Sequence, residues 1–315
     1  LNGPTLERLV LGGDAPHIAA CTPLETAGAR ALAAATEPVV AAFLDGVQRS
    51  RLIGYIGAAP VVYASVAAAV RERVDRQLRT WQAPRLHRLL LLSRARVGED
   101  TWARLEATGL VLVDLTADPP TADVPVHPHA LRARALDLVA LEREQLERQL
   151  ASHWCQRESR WLWIDGGIAG NLAIDAAAPA FGVVKSHHTL YGDGARIADV
   201  LALRAGERSA AFLVGHRQRR AVASWYLRLR EASAGDPLFG LVRVEVAPPP
   251  ALVEASPRPD DAREIVRDAF SAHCDRLSAG ILLERAPLSL PDARWHTLAY
   301  GIHACEQYLQ ALLGS

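Results

Sequence analysis

Short apolar runs bounded by Gly, Pro, Asp and Asn recur along the chain and predict many strands. The first, at residues 39–44 (VVAAFL), ends on Asp45-Gly46. Two β-like runs follow at 51–56 (RLIGYI) and 61–65 (VVYAS), with Gly- and Pro-containing links between them, so an antiparallel meander is the simplest topology. Further strands are predicted at 86–92 (LHRLLLL), 109–115 (GLVLVDL), 160–168 (RWLWIDGGI), 181–185 (FGVVK), 209–215, 222–230 and 239–246. Helical patterns occupy the Ala-rich stretch 22–36 within a lead-in over 1–37, then 66–81, 98–108, 129–153, 260–278 and 292–313. The helix over 129–153 carries an apolar stripe (Leu136, Val139, Leu146, Leu150), with Glu142, Glu144 and Glu147 interleaved with arginines. Loops are expected over 118–128 and 186–191, and a Pro-rich linker over 248–259.

The pattern of an apolar strand followed by Asp-Gly occurs twice, at Asp45-Gly46 and at Asp165-Gly166. Asp-Gly is a common turn pair. A carboxylate closing an apolar strand is also costly unless it is paired or bound to a cation. With Glu147, or Glu144 about one turn earlier, on the helix leading into the second strand, these carboxylates could form a hard-oxygen site. Such a site suits Mg²⁺ or Mn²⁺ and two-ion phosphodiester hydrolysis. The alternative is two independent turns and a solvated helix face.

Composition narrows the choice little. The 315 residues are 50% hydrophobic and 22% charged, and formal net charge is zero. Any polyanion must therefore be held by a local groove. Four scattered cysteines with no CxxC spacing argue against structural zinc or a disulfide framework. No apolar run is long enough to span a bilayer and no leader is read, so a cytoplasmic protein without membrane contact is expected. Lys185 is the sole lysine among many arginines, and it follows an apolar strand where it could meet a phosphate as a point charge. His187 and His188, just beyond it, are secondary candidates. Arg208, Trp225, Tyr226, Arg228 and Arg230, with Arg217, Arg219 and Arg220 nearby, combine cations with rings, as single-strand binding surfaces do. The same alternation in VASWYLRLR also describes an ordinary half-buried strand.

Taken in order, FLDGVQRS, a Glu-bearing helix, LWIDGGI, GVVKSHHTLY, GERSAAFLV, SWYLRLR, GLVRVEV and ARWHTLAYGIHACE resemble the NurA family of DNA-repair nucleases, from about residue 39 to the C-terminus. The resemblance implies an α/β fold: an RNase H-like nuclease core, a mixed sheet with an antiparallel meander, with additional helices and a β-rich insertion. It divides the chain into a helical lead-in (1–37) and a nuclease domain (38–315). It implies a metal-dependent deoxyribonuclease that uses Mn²⁺, with Mg²⁺ as the alternative, and cuts single strands as a 5′–3′ exonuclease and endonuclease in end resection and double-strand break repair. The expected partners are DNA, a second copy in a homodimer, and a HerA-like hexameric translocase. Apart from the resemblance, the lead-in, with apolar Leu6, Leu9, Val10 and Leu11, is either a contact for that translocase or packs on its own domain. By the resemblance, Asp45 and Asp165 match the metal-binding aspartates and Glu147 the glutamate between them, with Glu144 open. Lys185 joins the catalytic set. His303 matches the C-terminal histidine, although His296 then stands where a tyrosine belongs and an alignment on Tyr300 remains open. An Argonaute-like nuclease and a catalytically inactive adaptor or DNA-threading ring of a motor complex are the competing readings.

Overall fold

The computed structural model describes residues 15–33, 35–116, 127–171, 174–215, 220–233, 235–253, 260–285 and 295–314. Its elements in chain order begin with short strands β1 (His17–Ala19), β2 (Thr22–Pro23) and β3 (Arg30–Ala31), then two long ones, β4 (Val40–Ile56) and β5 (Ala59–Val74). β6 (Gln77–Thr80), β7 (Arg85–Leu92), α1 (Arg94–Val97), α2 (Glu99–Glu106) and β8 (Val111–Asp114) lead to the 30-residue helix α3 (Pro128–Arg157). After it come β9 (Trp161–Asp165), β10 (Ala180–Val184), β11 (Thr189–Tyr191), α4 (Gly194–Leu201), β12 (Glu207–Arg208), β13 (Phe212–Val214), β14 (Val222–Arg228) and β15 (Leu241–Val246). The chain then forms α5 (Pro250–Val253), α6 (Asp260–Leu283), a 3₁₀ turn (Trp295–Thr297) and α7 (Tyr300–Gly314).

The protein is a mixed α/β fold. One large sheet runs in the order β2-β13-β14-β15-β10-β9-β4-β5-β7-β8. At its centre β5 pairs antiparallel with both β4 and β7, while β4, β9 and β10 run parallel to one another. The expected meander is therefore present, but with different joints. The runs at 39–44 and 51–56 are one continuous 17-residue strand, and Asp45-Gly46 lies inside it rather than at its end. In β4 the Asp-Gly pair makes no turn, because Asp45 and Gly46 stay in register with Ala69 and Ala68 of β5.

Two expected helices are strands. Residues 66–74, rich in Ala and Arg, complete β5, and 77–80 return as β6. Val66, Ala67, Ala68, Ala69 and Val70 are all at most 1% exposed, so both faces of this strand are covered. Alanine there is what lets helices sit close on either side, and burial overrides helix propensity. The stretch 22–36 likewise holds β2 and β3, which edge the sheet at β13 and β12, instead of a helix. Residues 1–14 and most of the loop over 118–128 lie outside the described residues, as do Arg217 and Arg219.

The sheet has two covered faces. On one, Leu44, Ala42, Leu162 and Ile164 pack under α3, whose Leu131, Ala135, Val139, Leu146, Leu150 and Trp154 form the buried stripe. Pro128 in its first turn and the His127 ring accepting from the His129 N–H start that helix. On the other face, Phe43, Trp163, Phe181 and Val183 pack with Phe270, Leu277 and Ile281 of α6 and Ile302 of α7. Among the described residues no helix is long and apolar enough to cross a membrane.

Candidate functional site

The register of three parallel strands brings the chemistry together. Leu44 of β4 pairs with Ile164 of β9, so Asp45 and Asp165 are the next residue on each strand. Asp165 is in register with Val183 of β10, two residues before Lys185. Side chains alternate along strands, so Asp45, Asp165 and Lys185 follow Phe43, Trp163 and Val183 on the same face of the sheet. Chain ends of parallel strands are where α/β sheets open to ligands.

Lys185 Nζ lies 2.8 Å from Asp165 Oδ1 and 2.9 Å from Oδ2, gripping both oxygens. Asp45 makes no ion pair among the described residues, though the Lys185 charge acts on it. It is 8% exposed, and its Oδ1 accepts from the Gly46 N–H at 2.7 Å. Burial, then the Asp165 charge beside it, pushes its carboxyl up to about 8.

Glu147 arrives from the opposite side. It projects from α3 onto β4 directly over Gly46, where any Cβ would collide with its carboxylate. The glycine is thus a matter of space. Burial again dominates and pushes Glu147 up to about 7, even though Arg143, one turn earlier, is ion-paired with it. Glu144 is 40% exposed and paired with Arg148 at 2.8 Å, so of the two glutamates Glu147 is the one set against the strand carrying Asp45. Replacing Gly46 by alanine is expected to displace Glu147 and lower stability by about 1–3 kcal/mol, checked by thermal melts. An unchanged melt would mean that Glu147 is not held against β4.

A cleft of about 350 Å³ opens beside these groups, lined by Glu147 and Asp165, the turn Gly166–Asn171, Arg148, Tyr191, Arg243 and Glu245. Asp45 is not part of its lining. Gly166, with φ at +119°, reverses the chain out of β9 in a conformation that side chains disfavour. Glu245 and Arg243, in the apolar run of β15, are additions that the sequence reading missed. Glu245 is 3% exposed; it accepts the Ile168 N–H at 2.8 Å and bonds Arg243 Nη1 at 2.5 Å. Their signal was present in LVRVEV, where charged residues interrupt an apolar strand just as Asp45 does.

α7 covers the Asp45 face through Gly301 against Phe43 and Cys305 Sγ, 3.8 Å from the Phe43 carbonyl. His303 is half-buried on its first turn, and its Nδ1 is enclosed without a hydrogen-bond partner. Tyr300 is 60% exposed. His296 sits elsewhere, stacked on Phe239, and its Nδ1 accepts the Gly240 N–H.

The proposed DNA-contacting set does not reach solvent. Arg208, Trp225, Tyr226 and Arg228 are each 0% exposed. Arg208 is consumed by Glu25 and Asp275, and the Trp225 indole donates to Ser278 Oγ. The Tyr226 hydroxyl accepts the Tyr191 N–H, and Arg228 donates to the carbonyls of Leu201, Leu203, Pro237 and Phe239. β14 is a central strand covered on both faces, so its alternating pattern reflects core packing.

Among the described residues no group of three or more His, Cys, Asp or Glu side chains is arranged as a ready-made ion site. Lys185 and Arg143 stand on two of the three carboxylates, and Asp45 is held by burial. The donor set nonetheless fits a hard divalent cation: it offers carboxylate oxygens, two of them pushed up by enclosure and crowding that a cation would relieve. No family model matches this chain, and no curated protein matches it either.

Proposed function

We propose that the chain is a metal-dependent DNA nuclease of NurA type with an RNase H-like core. The observation that carries this reading is that Asp45 and Asp165 stand side by side at the same level of β4 and β9, with Glu147 set over Gly46 from α3 and near enough for its charge to act on Asp45. The mixed sheet supports it: an antiparallel meander (β4, β5, β7) flanked by two strands parallel to the first is the expected core arrangement.

Asp45, Asp165 and Glu147 would hold Mn²⁺ or Mg²⁺. The bound metal would supply a Lewis acid for the phosphoryl oxygens and a deprotonated water at neutral pH. Arg143 keeps the Glu147 carboxylate oriented across Gly46. Lys185 neutralises Asp165 in the metal-free protein, and its ammonium is placed to meet a phosphate beside that carboxylate. Glu245 anchors the turn after Asp165 by its bond to the Ile168 N–H, and so holds the cleft wall. His303, on the helix over the Asp45 face, remains part of the proposed site. A homodimer and a HerA-like motor are the proposed partners, since a chain of zero net charge has little non-specific hold on DNA of its own.

Digestion of an end-labelled single strand tests the reading. Cutting should require Mn²⁺ or Mg²⁺ and stop with chelator, and strand affinity should fall as salt rises. Failure to cut with either metal, in protein that is folded, would favour the adaptor reading, in which Lys185 and Arg143 stand permanently where metal would act.

A further inference from the structure

A second cleft, of about 410 Å³, lies on the far side of Lys185 and is lined by Lys185, Ser186, His187, His188, Asp236 and His296, among others. Lys185 is common ground: it forms a wall of this cleft while its Nζ holds Asp165, which lines the first. The second cleft is built rather than incidental. His187 Nε2 lies 3.0 Å from the Leu241 carbonyl, which fixes Nε2 as the donor and leaves Nδ1 an acceptor, enclosed and without a partner. Burial lowers the affinity of His187 for a proton, in keeping with a neutral ring. His296 is held by the Gly240 N–H and by its stack on Phe239, with ring centroids 4.4 Å apart. β1 closes one side: the His17 N–H bonds the His188 carbonyl, and Pro16 touches the cleft. One ammonium, the rings of His188 and His296 and a volume within the range of small-ligand pockets suit a phosphate carrying a sugar and base, with His187 fixed as part of the wall.

We propose that this second cleft is a nucleotide subsite, holding the nucleotide on the opposite side of the Lys185-bound phosphate from the carboxylate cleft. The proposal rests on the nuclease reading for the identity of the strand, and it adds where the strand goes. A strand crossing Lys185 would place one nucleotide in each cleft, with the phosphate between them.

Two exposed residues allow a test with changes of opposite sign. The His188 side chain is exposed and only its backbone is used in pairing, so His188→Glu adds a negative charge without disturbing packing. Asp236 is exposed, and its Oδ1 accepts the Leu238 N–H at 2.9 Å, a bond that Asp236→Asn can keep. The dinucleotide pTpT is titrated calorimetrically into metal-free protein in chelator, where nothing is cut. His188→Glu should weaken binding about tenfold, and Asp236→Asn should tighten it about threefold. The subsite is overturned if wild-type protein does not bind pTpT, or if the two variants bind as wild type does or shift in the same direction. Opposite shifts in a protein that never cuts DNA with Mn²⁺ would keep the subsite and end the nuclease reading. Cutting with unmoved pTpT affinities would do the reverse.

Discussion

Asp45→Asn is expected to lower cleavage by at least about a thousandfold and, in the same protein without metal, to raise the melting temperature at pH 8. Both effects have one cause. Asp45 sits at 8% exposure beside Asp165, and burial followed by that neighbouring charge pushes its carboxyl up to about 8 from an ordinary value of 3.8. Between those two values the folded protein holds a proton that the unfolded chain has released. Stability therefore falls as pH rises through this window. Glu147, pushed up to about 7, adds a slope of the same sign. Asparagine keeps nearly the same shape and never ionises, so the gain at pH 8 should be roughly 1–3 kcal/mol, a few degrees of melting temperature, and should shrink towards pH 4. A metal would remove the same penalty by binding the ionised form. Thermal melts in chelator at pH 5 and pH 8, with single-strand digestion in Mn²⁺, check both halves. Full cleavage by the variant would remove Asp45 from the site; melts unchanged at pH 8 would mean that its carboxylate is not held against its charge.

Arg208→Ala should be among the most destabilising single changes, costing about 3–5 kcal/mol, while leaving strand affinity per folded molecule unaltered. The Arg208 guanidinium is 0% exposed. It donates to Glu25 at 2.7 and 3.0 Å and to Asp275 at 2.6 Å, and it also bonds Ser271. It thereby ties β12 to the segment after β2 and to α6. Burial would raise the Glu25 carboxyl, but hydrogen bonds from Arg208, Ser271 and the Ala211 N–H overcome it and hold the group at about 2. Removing Arg208 leaves that carboxylate enclosed without its main partner. Adding Glu25→Gln to Arg208→Ala should recover part of the loss, because the stranded charge is then gone. Denaturant unfolding of the two single variants and the double variant measures this coupling. A loss below about 1 kcal/mol for Arg208→Ala would place the residue on the surface, where a DNA contact was expected from sequence.

That contrast between Arg208 as groove residue and Arg208 as core residue shows where local pattern stops. Residue order alone was enough for the strands at β7 to β10, β14 and β15, for α2, α3 and the two C-terminal helices, and for placing Asp165 at the end of one strand and Lys185 just past another. Apolar periodicity and the Asp-Gly interruptions are local signals, and a strand edged by turn residues needs no distant partner to be recognised. The stretch 66–81 was misleading for the complementary reason. VAAAVRERV has the composition of a helix, and only pairing with β4 on one side and β7 on the other, under covered faces, makes it a strand. VASWYLRLR could be a binding edge or a core strand, and the choice fell to β15 and β13 pairing on its two sides and to carbonyls that saturate Arg228.

The site divides in the same way. That Asp45 would be a costly carboxylate was legible from its apolar neighbours. That it lies next to Asp165 follows from the parallel β4–β9 register, that Glu147 crosses to it follows from the bare Cα of Gly46, and that Glu245 backs the cleft follows from β15 lying beside β10. Sequence carries the cost of a buried charge at one position. Which charges share that cost is set by pairings of β4 with β9, β9 with β10 and β10 with β15, strands far apart along the chain, and those exist only once the sheet is assembled.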